Sequence, residues 1–128
     1  IAAARKRLAH YSNVQLYEAD MHSLPLADHS FDHIFAMHAL PYSRNPQRVL
    51  QEAARLLRPG GRLIITTLNA HRHEAAMQAY DHVNLGISPE RLQRMLEQSG
   101  LIVESCRVSS RETRPPYFEV VSALARHA

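Results

Sequence analysis

The stretch that decides the fold is EAARLLRPGGRLIITTL at residues 52–68. Its first half completes one apolar helical face, with positions spaced i, i+3, i+4 and i+7: Leu50, Ala53, Ala54 and Leu57. Pro59 stops the helix, and Gly60 and Gly61 can take the positive φ that a sharp exit needs. Residues 62–68 are rich in Ile and Thr and apolar enough for a central strand. The stretch therefore predicts a helix that turns sharply into a buried strand.

Upstream of this stretch, the start of the helix is clearly marked. Asn45 is a good N-cap, and Pro46 loses no hydrogen bond at the first helical position. Residues 31–37 predict a strand with bulky apolar side chains. Residues 14–19 alternate apolar and polar side chains and predict a shorter strand that ends at Asp20.

Downstream, Ser88 opens another helix, and Ile87 can pack on Leu92 as a hydrophobic staple. No helix-length segment separates the last two predicted strands, so we expect them to form an antiparallel pair. The other predicted elements are a helix at residues 2–11, a polar helix at 71–80, and strands at 101–108 and 117–125.

Alternating helices and strands are typical of an α/β layered domain. We expect one unit over residues 1–128, with a mostly parallel sheet that ends in the antiparallel pair. Apolar residues make up 45% and charged residues 21% of the chain, which is ordinary for a globular protein.

Composition excludes several classes of protein. No apolar run approaches the roughly 20 residues that span a bilayer, and no signal peptide is visible. The net charge of +3 is spread along the chain, which argues against a nucleic-acid surface. Cys106 is the single cysteine, so we interpret it as a small buried residue in a cytoplasmic protein.

Four short motifs occur in a characteristic order: DM at residues 20–21, LPL at 24–26, SFD at 30–32, and EAARLLRPGGRL at 52–63. Together they resemble class I S-adenosylmethionine-dependent methyltransferases over nearly the whole chain. The resemblance implies an incomplete Rossmann-like methyltransferase fold with S-adenosylmethionine as cofactor.

The resemblance also implies a cofactor site. Asp20 would accept a hydrogen bond from the adenine amino group, and Met21 would lie against the adenine ring. The backbone of Ala36, Met37 and His38 would face the methionine part. The alternative is that Asp20 is a loop carboxylate and Met21 a core side chain.

The methyl acceptor would be a small molecule, with His38, Tyr42 and His71 near it. A sulfonium already activates the methyl group, so positioning supplies most of the acceleration and no catalytic triad is needed. Ser109 and Ser110 have no partnered His and Asp. A catalytic residue is therefore not assigned.

Three histidines raise the question of a metal: His71, His73 and His82. His71 and His73 lie two positions apart, on different faces of a helix, and no cysteine lies nearby. We therefore expect a solvated or substrate-facing helix and no metal site.

The family's glycine-rich loop and its ribose-binding acidic residue are not found in the sequence, whose four glycines form no G-x-G pair. Both would lie upstream of Ala2. In the family's sheet, the strands that carry them would sit between the strand at residues 14–19 and the strand at residues 31–37. Because this leaves strand edges exposed, we expect a homodimer with exchanged elements as one form.

The residues are compatible with two functions. The chain either belongs to an enzyme that methylates a small molecule or forms a non-catalytic module that senses the cofactor or dimerises a regulator. NLGIS at residues 84–88 and PPYFEV at 115–120 resemble bacterial proteins with an ArsR-like winged helix ahead of a methyltransferase domain. DNA would be a partner only if such a domain lies upstream.

Overall fold

The computed structural model describes residues 2–128. The helices are α1 (Ala2–Leu8), α2 (Pro46–Leu56), α3 (Glu74–Ala79) and α4 (Pro89–Gln98), with a single 3-10 turn at Leu40–Tyr42. The strands are β1 (Phe31–Met37), β2 (Leu57–Leu68), β3 (Leu101–Arg111) and β4 (Glu119–His127). No helix in this part of the chain has the length and apolar character needed to cross a membrane.

The two amphipathic helices begin where the sequence indicates. The Asn45 side chain accepts a hydrogen bond from the Arg48 backbone N at 3.2 Å at the start of α2. Ser88 caps α4 in the same way, accepting from the Arg91 backbone N at 3.2 Å. Each cap satisfies a backbone donor that the first helical turn leaves without a partner. The predicted N-caps are confirmed.

The turn from α2 into β2 is tighter than predicted. Helix α2 ends at Leu56 and β2 begins at the next residue, so the strand starts five residues earlier than expected. Gly60 has a φ of 81°, as predicted. Gly61 does not have a positive φ; instead, a Cβ there would lie 2.9 Å from the Arg58 carbonyl oxygen. This glycine permits a close backbone approach rather than an unusual φ.

The sheet has the order β1-β2-β4-β3. Strands β1 and β2 are parallel, whereas β4 is antiparallel to both β2 and β3. The α/β class and the terminal antiparallel pair are confirmed. The expectation of a mostly parallel sheet is corrected to a mixed one, because only one of the three pairings among the described residues is parallel.

The strand predicted at residues 14–19 is not formed. A strand is stable only when a neighbour completes its hydrogen-bond ladder. Within residues 2–128, β1 pairs with β2 alone, and residues 14–19 have no regular secondary structure and mostly exposed side chains. The alternation of side chains predicted a strand but could not show whether a pairing partner is present.

Helices α2 and α4 cover one face of the sheet. The core joins inward side chains of these helices with those of β2 and β4: Leu50, Leu92, Leu96, Leu63, Ile65, Val121, Ala123 and Ala125. Burying a large aliphatic side chain stabilises the fold by about 1.5–3 kcal/mol. On the opposite face, Phe35 is 65% and Met37 57% exposed. Ile87 and Leu92 both lie in the core, as the staple requires.

Helix α3 is shorter than the polar helix predicted at residues 71–80, and none of its residues is buried. The loop that follows α3 reaches the core through Gly86, whose φ is 83°. A Cβ on Gly86 would lie 2.3 Å from the Asn69 carbonyl oxygen, so this loop crosses directly over the end of β2.

We expect Gly86→Ala to destabilise the protein more than Gly100→Ala. Both glycines have a positive φ, but a Cβ on Gly100 meets nothing within 4 Å. Gly100→Ala should therefore destabilise the protein by only about 1–2 kcal/mol, the cost of a side chain in the left-handed conformation. Gly86→Ala should cost about 1–3 kcal/mol more, because backbone must move. Chemical denaturation measures both, and equal losses would contradict the close approach.

Candidate active site

The side chain of Asp20, which follows residues 14–19, is held by His22. The Oδ1 atom of Asp20 accepts from the backbone N of His22 at 2.8 Å and lies 2.6 Å from His22 Nδ1. These bonds lower the pKa of Asp20 below its usual range, so the side chain stays an ionised acceptor. The side chain is 70% exposed, and both contacts use Oδ1, which leaves Oδ2 for another donor.

The other nitrogen of His22 contacts a distant part of the chain. His22 Nε2 lies 2.6 Å from Ser43 Oγ, and Ser43 Oγ accepts from the Asn45 backbone N at 3.0 Å. Ser43 follows the 3-10 turn and is fully buried. A chain of hydrogen bonds thus joins Asp20 to the start of α2. Ser109 contacts the hydroxyl of Ser122 instead, so the structure forms a Ser–His–Asp arrangement from residues other than Ser109 and Ser110.

Helix α2 holds the loop that follows Asp20 and Met21 through the ion pair between its residues Glu52 and Arg55. Glu52 is 2% exposed and accepts from Arg55 Nε at 2.7 Å and from the Leu24 backbone N. Arg55 donates in turn to the Leu24 and Leu26 carbonyl oxygens and to Asp28. The Arg55 guanidinium lowers the pKa of Glu52 to about 2.

The end of β1 carries the next predicted residues. Met21 and Ala36 are half-buried and pack against the core. Met37 is exposed, and Thr66 Oγ1 lies 3.8 Å from its sulfur. His38 has a φ of 52° and its backbone N donates to the Thr66 carbonyl oxygen at 2.8 Å. His38 therefore turns the chain away from the sheet at the carboxyl end of β1.

Beyond that turn lies a pocket of about 260 Å³. Its lining combines apolar side chains with two imidazoles and one carboxylate: His38, Pro41, Leu68, Tyr80, His82, Glu112 and Phe118. The ring of Tyr42 packs edge-on against that of His82, with centroids 5.0 Å apart. Of the predicted acceptor residues, His38 lines the pocket and Tyr42 supports its wall.

His71 lies in a neighbouring pocket of about 370 Å³, which shares Phe118 with the first. Its ring packs on Phe118 at 4.6 Å, and its Nδ1 accepts from the His73 backbone N at 3.1 Å. Burial, together with nearby His73 and His82, lowers the pKa of His71, so the imidazole is neutral with its hydrogen on Nε2. That nitrogen is buried and has no partner among the described residues. His71 thus offers a donor rather than a base.

Several residues of the site were not predicted from the sequence. The contact between His22 and Ser43 joins positions 21 apart and leaves no periodic signal. Glu52 could have been found, because it lies three positions after Val49 on the buried face of α2. Residues 2–128 contain no group of three or more His, Cys, Asp or Glu side chains arranged to hold a metal ion.

A mixed α/β sheet of this order has the Rossmann-like arrangement, in which ligands bind outside the carboxyl ends of the parallel strands. Residues 1–65 match the family described as "Methyltransferase domain", and the chain belongs to that family. This membership indicates S-adenosylmethionine as the cofactor.

Curated relatives agree with this membership. The chain is 40% identical over 110 residues to malonyl-[acyl-carrier protein] O-methyltransferase of Hahella chejuensis, covering 80% of the chain and 39% of the relative. It is 34% identical over 107 residues to 27-O-demethylrifamycin SV methyltransferase of Amycolatopsis mediterranei, covering 77% and 39%. The chain therefore spans about two fifths of the length of these relatives.

Solved structures share the fold. The [4+2]-cyclase SpnF superposes with a TM-score of 0.77 at 18% identity, covering 98% of this chain and 60% of that one. The trans-methyltransferase CalH, in complex with SAH (S-adenosylhomocysteine), superposes with a TM-score of 0.75 at 21% identity, covering 99% and 39%.

We expect the stability lost in Glu52→Gln to shrink as the pH falls. The pKa of Glu52 is about 2 in the folded protein against an ordinary 4.5. Its stabilising effect is therefore complete above about pH 4.5 and disappears as the pH falls toward 2. At pH 7 the variant should be less stable by about 2–3 kcal/mol.

Urea denaturation at several pH values measures this difference. Glu97→Gln, on the exposed side of α4, is the matched control and should change stability by less than about 0.5 kcal/mol. A difference between wild type and Glu52→Gln that stays constant from pH 7 to pH 3 would contradict the assigned pKa.

Proposed function

We propose that this chain forms part of an enzyme that transfers a methyl group from S-adenosylmethionine to a small-molecule acceptor. The observation that carries the proposal is the family match over residues 1–65, which includes Asp20, Met21 and the carboxyl end of β1. Open α/β sheets bind their ligands outside the carboxyl ends of parallel strands.

The residues at this position fit the adenosine part of the cofactor. Asp20 is ionised and keeps Oδ2 for a donor, which suits the exocyclic amine of adenine. Met21, half-buried beside it, offers a thioether to the ring. We place the methionine part against the backbone of Ala36, Met37 and His38, where β1 ends.

The chain's own contribution to the reaction is positioning. When bound, S-adenosylmethionine supplies a methyl group already activated by a sulfonium. The pocket beside His38 has apolar walls from Leu68 and Phe118, against which a methyl acceptor packs. The His38 imidazole accepts a hydrogen bond from the methyl acceptor, and Tyr42 packs on His82 in the pocket wall. Alignment of the two reactants provides most of the required acceleration.

The acceptor class is the less specific part of the proposal. The relative from Hahella chejuensis is named as an O-methyltransferase, which supports an oxygen atom as the methylated group. His71 lines the adjoining pocket beside Phe118, so an acceptor that extends beyond the first pocket would contact the His71 ring.

We also propose a cytoplasmic homodimer. Within residues 2–128 the outer edge of β1 carries no ladder partner, and Phe35 and Met37 are exposed on the adjoining sheet face. A second copy that pairs there would satisfy the edge and bury both side chains. Sedimentation equilibrium at micromolar concentration should give a mass near 29 kDa, twice the 14.5 kDa of one chain. A mass of one chain at every concentration would overturn the dimer.

We expect the 128-residue chain to bind S-adenosylhomocysteine with micromolar affinity and Asp20→Ala to weaken binding by about tenfold or more, since a hydrogen bond to a charged group is lost. Titration calorimetry measures both affinities. Glu18→Ala, an exposed carboxylate two residues earlier, is the control and should bind as the wild type does. No binding by the wild type, or equal binding by Asp20→Ala, would contradict the proposed site.

A further inference from the structure

Asp20, His22 and Ser43 form a directed chain of hydrogen bonds. An ionised carboxylate only accepts, so at 2.6 Å the hydrogen must lie on His22 Nδ1. In the neutral form of His22, Nε2 would then accept the hydroxyl hydrogen of Ser43, whose oxygen lies 2.6 Å away. The Ser43 oxygen accepts in turn from the Asn45 backbone N. Each donor in this chain has one acceptor, so neutral His22 is satisfied at both nitrogens.

This is the order of groups found in serine hydrolases, but the arrangement does not suit a nucleophile. A catalytic serine must reach a substrate carbonyl, whereas Ser43 is 0% exposed. The carboxylate is the exposed end of the chain instead, since Asp20 is 70% exposed. The exposed end is where a ligand arrives, and the buried serine is the fixed end.

The fixed end is held from two sides. The Asn84 side chain donates from Nδ2 to the carbonyl oxygens of Ser43 at 2.9 Å and Leu40 at 2.8 Å. The backbone N of Val83 donates to the Pro41 carbonyl oxygen at 2.8 Å. The turn that carries Ser43 is therefore anchored to the loop after α3 as well as to the start of α2.

We propose that His22, anchored by Ser43, is a positioning residue that orients the Asp20 carboxylate toward the adenine amine. The inference rests on the proposed function, because it assigns the amine as the donor to Asp20. Residues 14–20 have no regular secondary structure, and no strand ladder fixes the direction of this side chain. His22 contacts Oδ1 through both its backbone N and its ring, and this fixes the direction in which Oδ2 points.

The test compares two ligands that differ at the exocyclic position of the purine and in the hydrogen on the neighbouring N1. S-inosylhomocysteine carries an oxygen where S-adenosylhomocysteine carries the amino group. We expect the wild type to prefer the adenosyl ligand by about tenfold or more, as one charge-assisted hydrogen bond provides. In His22→Gln and Ser43→Ala this preference should fall to about twofold. A merely structural role would weaken both ligands equally and leave the preference unchanged.

Two variants separate the possible failures. Asp20→Ala should abolish the preference, and His33→Gln, an exposed histidine on β1, should keep it. If the wild type shows no preference or does not bind, the proposed adenine contact of Asp20 fails. If Asp20→Ala loses the preference but His22→Gln and Ser43→Ala keep it, the site stands and the positioning role is overturned.

A measurement on the protein without ligand tests the hydrogen bonds that join Asp20, His22 and Ser43. Nitrogen NMR of the His22 ring should show the hydrogen on Nδ1 in the wild type at pH 8. In Asp20→Ala the hydrogen should move to Nε2, the form that free histidine prefers. A ring with its hydrogen on Nε2 in the wild type would overturn the proposed direction of the hydrogen bonds.

Discussion

The ion pair between buried Glu52 and half-buried Arg55 is the interaction on which the rest of the site depends. A carboxylate removed from water costs several kcal/mol unless it is paired and its remaining lone pairs are satisfied. Here Glu52 accepts hydrogen bonds from the Arg55 guanidinium and from the Leu24 backbone N. Arg55 in turn donates to two carbonyl oxygens of the same loop. The ion pair therefore binds an irregular loop to a helix whose other side lies in the core.

This constraint explains how a site forms beside a segment without regular structure. Residues 14–20 are not held by a strand ladder, yet the chain is fixed at two points shortly after Asp20. One is the Glu52–Arg55 pair, which holds the chain at Leu24, and the other is Ser43, which holds His22. Side-chain hydrogen bonds thus do here what backbone pairing does in the sheet.

Features set by local chemistry could be predicted from the sequence. Asn45 and Ser88 cap their helices because their side chains accept from the first turn, and Gly60 takes the positive φ that the turn requires. Features that depend on distant partners could not. Residues 14–19 alternate as a strand does but form no ladder among the described residues. Similarly, nothing in the spacing of His22 and Ser43 shows that they meet.

We propose that Asp20, in the loop ahead of β1, recognises the adenine of the cofactor. A crystal structure of the chain with S-adenosylhomocysteine decides whether it does. We expect the adenine amine within hydrogen-bond distance of Asp20 Oδ2, with His22 still bonded to Oδ1. Adenine bound elsewhere, or bound here with Asp20 turned away from it, would overturn this recognition.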